Sequence, residues 1–266
     1  MTRLTFDLEL AATYASPSQR ARVLTEGWAQ RYVYCPNCGR EPLAKVANNT
    51  PASDLICAGC QETYELKSQK GSFGRKVADG AYNTMVKRLM ADDNPNLLLL
   101  NYNLNIARVT NLLVVPKHFL VPELIEKRKP LPPTARRAGW IGCNILLQGI
   151  PHAGRISIIE AGGFRAKSEV LADWRRTSFI REQRRPGARG WLLHVMKCID
   201  SLGRDTFSTA DIYQFESVLK RIYPANSNVR PKLRQQLQRL RDAGYLDFLG
   251  GGTYRLRRSS AATDLS

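Results

Sequence analysis

Long apolar runs are absent from this sequence. The densest stretch, Leu97 to Leu100, is far short of the roughly 18–20 residues that a helical membrane span requires, so no membrane partner is expected. The N-terminus interrupts its apolar residues with Asp7 and Glu9 and shows no hydrophobic leader core, which points to a cytoplasmic protein. Histidine is scarce: His118, His152 and His194 stand apart, and each reads as a structural or surface residue. Internal repeats and low-complexity segments are missing too, apart from a tail at 259–266. The most telling shortage is of acid, since 23 Asp and Glu face 40 Lys and Arg for a net charge of +17. That imbalance favours a polyanionic partner, nucleic acid ahead of an anionic membrane surface. Apolar residues make up 43% of the 266, enough for a real core in one large domain or two smaller ones, which excludes wholesale disorder.

Cysteine is informative through its spacing. Cys35, Cys38, Cys57 and Cys60 form two C-x-x-C pairs separated by 18 residues, the arrangement of a four-cysteine zinc ribbon. Two residues between thiolates let one tight turn aim both sulfurs at a tetrahedral ion. Pro36, Asn37, Gly39 and Gly59 supply turn chemistry in and beside both knuckles. A pair of disulfides would need an oxidising compartment, which nothing here suggests. Four thiolates leave no open position, so the expected Zn²⁺ is structural. Cys143 and Cys198 lie in apolar contexts and read as core thiols.

Charge divides the chain. Residues 1–180 carry a net +9 and residues 181–266 a net +8, so the second part has about twice the charge density. Between them the run Arg181–Gly190 is basic, contains Pro and Gly and has no apolar period, as a linker or a domain edge would. Domains are therefore expected at 1–182, with the ribbon at about 33–62, and at 190–258. In the first, Ser16-Pro17 opens a helix to about Arg31. Strands are expected at 53–57, 62–68, 97–102, 111–115, 141–147 and 155–160, with a helix at roughly 79–91. This order predicts an α/β domain with a mixed central sheet.

The second part is clearer. Trp191, Val195, Cys198, Ile199 and Leu202 share one helical face. Ser208 is a candidate N-cap for a second helix, with Phe207 and Ile212 as a hydrophobic staple and Ile212, Phe215, Leu219 and Ile222 as its stripe. A third helix faces Val229, Leu233, Leu237 and Leu240 inward. Its opposite side carries Gln235 and Gln238 flanked by Arg230, Arg234, Arg239 and Arg241. Tyr245–Leu249 and Thr253–Leu256 then alternate around three glycines as a hairpin. Three helices and a hairpin make a winged helix, whose third helix enters the major groove. Gln and Arg are suited to read adenine and guanine there, so Arg230, Arg234, Gln235, Gln238 and Arg239 are the candidate DNA contacts.

One acidic pattern lies inside the ribbon. Asp54 is followed by Glu65, Leu66 and Lys67, the Asp-x10-Glu-x-Lys signature of PD-(D/E)xK nucleases. With Asp54 ending one strand and Glu65 in its neighbour, both carboxylates can converge on a hard cation such as Mg²⁺, with the Leu66 backbone carbonyl as a further ligand. Side chains alternate along a strand, so Lys67 returns to the side of Glu65, where it can position water or stabilise charge on a phosphate. The proline usual before the Asp is replaced by Ser53, with Pro51 two places earlier. Cys57 and Cys60 fall between the two carboxylates, so zinc would set the register of the catalytic pair.

These segments carry a resemblance. Tyr34–Gly39, Glu65–Ser68, Asp79–Tyr82, the long string Pro133–Asn144, Gly190-Trp191 and Arg234–Gln238 are similar to those of the DpnI-like methyl-directed (type IIM) restriction endonucleases of the PD-(D/E)xK superfamily. The similarity spans the chain to about residue 256. It implies a PD-(D/E)xK nuclease core with an inserted four-Cys zinc ribbon and a C-terminal winged helix. It also implies Mg²⁺-dependent cleavage of double-stranded GATC sites carrying N6-methyladenine, read by both domains. Asp54, Glu65 and Lys67 match the catalytic residues. Trp140 matches an aromatic residue at the methylated adenine, and Arg136 and Arg137 are carried over only as DNA contacts. A monomer is expected. The rival reading is a non-catalytic zinc-ribbon and winged-helix reader or regulator that binds methylated DNA.

Overall fold

The computed structural model describes residues 3–46, 53–183 and 185–257. Pro51 and the tail at 259–266 lie outside the described residues. After a 3-10 turn at Leu8–Ala11 comes the first α-helix, α1 (Pro17–Tyr32), entered through Ser16 in an extended conformation with Pro at the first helical position. A seven-stranded sheet follows in the order β1 (Ala44–Lys45), β2 (Leu55–Ile56), β3 (Thr63–Lys70), β5 (Asn96–Asn103), β6 (Arg108–Val115), β9 (Ile156–Glu160) and β10 (Gly163–Phe164). A second, three-stranded sheet pairs β4 (Lys76–Ala81), β8 (Gly142–Leu146) and β7 (Ile125–Lys127). β3 and β5 run parallel, whereas β2–β3 and β5–β6 are antiparallel, so the central sheet is mixed as expected.

Burial on both faces explains the Leu97–Leu100 run, because a strand covered on each side has no solvent face to make polar. Leu98 and Leu100 face a cluster with Leu24 and Trp28 of α1, Tyr64, Cys35, and Val170 and Trp174 of α3 (Lys167–Arg176). Leu97, Leu99 and Val115 face the opposite cluster, which takes in Val77, Cys143 and Ile145 of the second sheet and Leu89 of α2 (Tyr82–Met90). That second cluster does not stop at the first domain. It continues without a break into Trp191, Val195, Leu233, Leu237 and Leu240 of the C-terminal part.

The C-terminal part comprises α4 (Pro186–Ser201), β11 (Thr206–Ser208), α5 (Thr209–Tyr213), α6 (Glu216–Ile222), α7 (Val229–Asp242), β12 (Leu246–Gly250) and β13 (Thr253–Leu256). Helices and wing appear in the predicted order, with β11 joining the hairpin as a third strand on β13. Ser208 caps α5 in a reciprocal capping box with Asp211. The inward residues Val229, Leu233, Leu237 and Leu240 are all buried.

Several local expectations are corrected. Asp79, Gly80 and Ala81 belong to β4, not to a helix: β8 supplies a ladder partner, and the helix starts only at Tyr82. The second helix of the winged domain is broken between α5 and α6, and Ile222 at the end of its stripe is exposed. The run 181–190, expected as a linker or a domain edge, is no open linker: it is already helical from Pro186, and Arg189 within it is buried against Asp92 at 2.8 Å. A single sequence shows a basic segment as solvated unless its counter-ion is visible nearby, and Asp92 is remote in the chain.

Candidate active site and DNA-reading surface

The β2–β3 hairpin organises two sites at once. At its turn, the Cys57 N–H donates to the Glu62 carbonyl and the Gln61 N–H to the Cys57 carbonyl. Cys57 and Cys60 thereby face the first knuckle, which is closed by Gly39 N–H to Cys35 and Cys35 N–H to Arg40. All four Sγ atoms lie within 4.8 Å of one another, with Cys35–Cys60 and Cys38–Cys57 each at 3.5 Å. A tetrahedral Zn²⁺ with ligand bonds of about 2.3 Å needs sulfurs roughly 3.8 Å apart. The thiols are unbridged and therefore fit that ion. Burial works against ionisation of Cys57, but N–H groups of Cys60 and Gly59 outweigh it and lower its pKa to about 7. Tyr64, fully buried on β3, places its hydroxyl 3.1 Å from Cys35 Sγ and ties the knuckle to the sheet.

Farther along the hairpin lie the two carboxylates, Asp54 and Glu65, close enough for the Asp54 charge to act on Glu65. Asp54 donates its N–H to the Tyr64 carbonyl, and its Oδ2 accepts the Leu66 N–H at 2.8 Å. β2 has left the ladder at that point, so Leu66 faces a side chain rather than a strand. A strand residue presents its N–H and C=O to the same edge, so the Leu66 carbonyl faces the Asp54 side. Glu65 and Lys67 project together, as alternation requires, with Lys67 Nζ 2.6 Å from Glu65 Oε1. The same ammonium lies 2.7 Å from Asp79 Oδ1 on β4. Burial raises the Glu65 pKa, against the pull of Lys67 and with the help of the Asp79 charge. Burial alone would lower Lys67, but Glu65 and Asp79 together hold it up as an ammonium.

On the winged helix, Arg230, Arg234, Gln235 and Gln238 are exposed on α7, while Arg239 is half-buried and donates to Gln183 of the first domain at 3.1 Å. Arg230 stacks over Tyr213 and pairs with Glu216, and Arg234 donates to the Tyr213 hydroxyl. Their side chains thus form a pre-arranged basic face rather than a loose fringe.

The sequence profile of the DpnI, Dam-replacing family matches residues 2–183, about two thirds of the chain. The chain belongs to that family. The companion Dam-replacing HTH domain matches residues 187–256. Membership of the DpnI family implies a restriction endonuclease, a hydrolase acting on DNA, with a helix-turn-helix domain for DNA binding.

In this DpnI-family chain the segment carrying Trp140 is a compact loop. Leu131 N–H donates to the Trp140 carbonyl, Gly139 N–H to the Leu131 carbonyl, and Gly139 takes a φ of +76° that glycine adopts without strain. Gly142 leaves room for the indole, since a Cβ there would lie 2.7 Å from Trp140. Arg137 stacks over the indole at 4.8 Å, and Arg136 is exposed beside it. The loop leads into β8, whose Gly142 and Cys143 pair with Ala81 and Asp79, so the Trp140 loop adjoins the strand that contacts Lys67.

Two polar residues near this hairpin are not marked as site residues by the sequence. Asp79 reads as the start of a helix there, although Val77 and Asp79 are less exposed than the intervening Ala78. Glu62, buried directly after the second knuckle, pairs with Arg181 at 3.0 Å and accepts from Asn96 at 2.8 Å. No local motif announces it, because its partners come from residues 96 and 181. Among the described residues no helix is long and apolar enough to cross a membrane.

Proposed function

We propose that this chain is a type II, methyl-directed endonuclease that hydrolyses both strands of double-stranded DNA at GATC sites carrying N6-methyladenine. The observation that supports the reading is that one hairpin of a DpnI-family chain carries Asp54 bonded to the Leu66 N–H and Glu65 paired with Lys67. Carboxylate and carbonyl oxygens suit Mg²⁺, which is bound through one or two carboxylates and keeps several waters. Asp54, Glu65 and the Leu66 carbonyl would hold it. A Mg²⁺ ion there supplies Lewis-acid activation of the phosphodiester and of the attacking water. Zn²⁺ on the four cysteines is the structural partner.

The protein's own groups do the rest. The Leu66 N–H fixes the orientation of the Asp54 carboxylate. Lys67, held as an ammonium among carboxylates, is placed to orient water and to stabilise charge building on the phosphate. Trp140, with Arg136 and Arg137 beside it, is the proposed methyladenine reader of the first domain. Arg230, Arg234, Gln235, Gln238 and Arg239 are the proposed contacts of the second. Two readers answer a thermodynamic shortage: one buried methyl is worth about 0.8 kcal/mol, roughly fourfold in affinity. A site with two methyl groups, sensed by two domains, multiplies that small factor.

The test uses purified protein with Mg²⁺ and matched plasmids from adenine-methylating and non-methylating hosts. Cleavage of the methylated plasmid alone is expected. Equal cutting of both would remove methyl specificity, and binding without cutting would favour the non-catalytic reader.

A further inference from the structure

We propose that Asp79 is a positioning residue for Lys67, an inference that rests on the nuclease reading above. Lys67 is a mostly buried ammonium, its side chain 23% exposed, held between Glu65 at 2.6 Å and Asp79 at 2.7 Å. These two carboxylates have different obligations. Glu65 belongs to the Asp-x10-Glu-x-Lys set and is needed as a cation ligand, a duty that competes with its bond to Lys67. Were Glu65 the ammonium's only partner, engaging it elsewhere would leave a buried charge uncompensated, which is strongly unfavourable. Asp79 removes the conflict by keeping a carboxylate on Lys67 that does not depend on Glu65.

Asp79 is built for that task. Its side chain is only 7% exposed, and its Oδ1 also accepts the Gly80 N–H at 2.7 Å. It comes from a different sheet, where it pairs with Cys143 of β8, so its backbone is held by β8 rather than by the β2–β3 hairpin. The β4–β8 register shifts between Asp79 and Ala81, a bulge at Gly80 of the kind that re-aims a side chain beside a functional site.

Three measurements on the full chain test this role. Asp79→Asn should lower kcat on methylated DNA by about 10- to 100-fold while KM changes by less than about twofold, because an adrift Lys67 loses alignment rather than DNA contact. Mn²⁺ affinity without DNA, read by calorimetry, should fall several-fold in Asp79→Asn, since Lys67 then clings to Glu65. In a Lys67→Ala background the same substitution should leave Mn²⁺ affinity unchanged. Persistence of the affinity loss there would make Asp79 a direct ion ligand and overturn the proposal, as would an unchanged kcat. Should Asp79→Asn fail to melt cooperatively, Asp79→Glu is the second variant. It keeps the charge but displaces it by a methylene, so kcat should fall with Mn²⁺ affinity within about twofold of wild type; wild-type kcat would overturn the role. If the wild-type chain neither binds Mn²⁺ nor cuts DNA, the nuclease reading fails. If it does both and Asp79→Asn matches it, only the present inference fails.

Discussion

The hairpin β2–β3 and the helix α7 both carry charge, and they carry it in opposite ways. On the hairpin, Lys67 pairs with Glu65 and with the facing Asp79, all three mostly buried, while the Leu66 N–H holds Asp54 and the Gly80 N–H holds Asp79. On α7, Arg230 and Arg234 stand in solvent with Tyr213 and Glu216 as light supports. Hydrolysis of a phosphodiester rewards charges that are desolvated and pre-aligned, because reorganisation at the moment of reaction is then small. Groove reading rewards long, solvated side chains whose charge can replace counterions on many phosphates. On the proposed reading, one basic chain is divided between these tasks.

The comparison breaks most visibly if zinc is removed. Structural Zn²⁺ contributes on the order of 10 kcal/mol of folding free energy in small domains, and here the second knuckle is the turn of the hairpin that carries Glu65 and Lys67. Chelation should abolish cleavage and lower the thermal transition markedly. Mg²⁺ alone should not restore activity, whereas added Zn²⁺ should; activity that survives complete zinc loss would detach the ribbon from the site. Next in size, Asp54→Ala and Lys67→Ala should each reduce cleavage by about 10³-fold or more, several kcal/mol of barrier. Gel-shift affinity for methylated DNA should stay within a few-fold, and loss of binding in parallel would blur the division between cutting and reading.

Smaller effects sharpen the other side. Leu237→Ala removes a fully buried side chain and should cost about 2–5 kcal/mol. The winged helix shares an apolar cluster with the second sheet, so calorimetry should show a single lowered transition; two separated transitions would contradict that coupling. Arg234→Ala should weaken DNA binding modestly and reduce the slope of log K against log salt by about one, as anisotropy titrations would show. At saturating DNA its cleavage rate should remain near wild type. Smallest of all, Trp140→Ala should shrink the rate ratio between methylated and unmethylated sites by about fourfold, the value of one methyl contact. An unchanged ratio would remove Trp140 from methyl sensing.

Much of the site was legible because its chemistry is local. The two C-x-x-C turns, the spacing of Asp54 and Glu65 across one hairpin, and the side-chain alternation that returns Lys67 to Glu65 all follow from short-range geometry. The apolar periods of α4 and α7 and the Ser208 cap were equally plain, since helical periodicity and capping need only a few neighbouring residues. Other features depend on partners remote in the chain. β4, with the sequence Lys-Val-Ala-Asp-Gly-Ala, has weak strand character and exists because β8 pairs with it. Arg189 reads as a linker cation until Asp92, nearly a hundred residues earlier, takes its charge.

The sequence by itself thus determined the four-cysteine cluster that could hold a metal ion, the placement of Asp54, Glu65 and Lys67 on one hairpin, the order of helices and wing, and a net charge suited to DNA. Those properties are written in spacing and periodicity, which the backbone converts to geometry without outside help. Only the tertiary structure decided that Lys67 has a second carboxylate in Asp79, that Glu62 ties the ribbon to Arg181, and that both halves of the chain share one apolar cluster. Each of these joins residues from separate elements, and burial alone brings such groups close enough for their charges and surfaces to count.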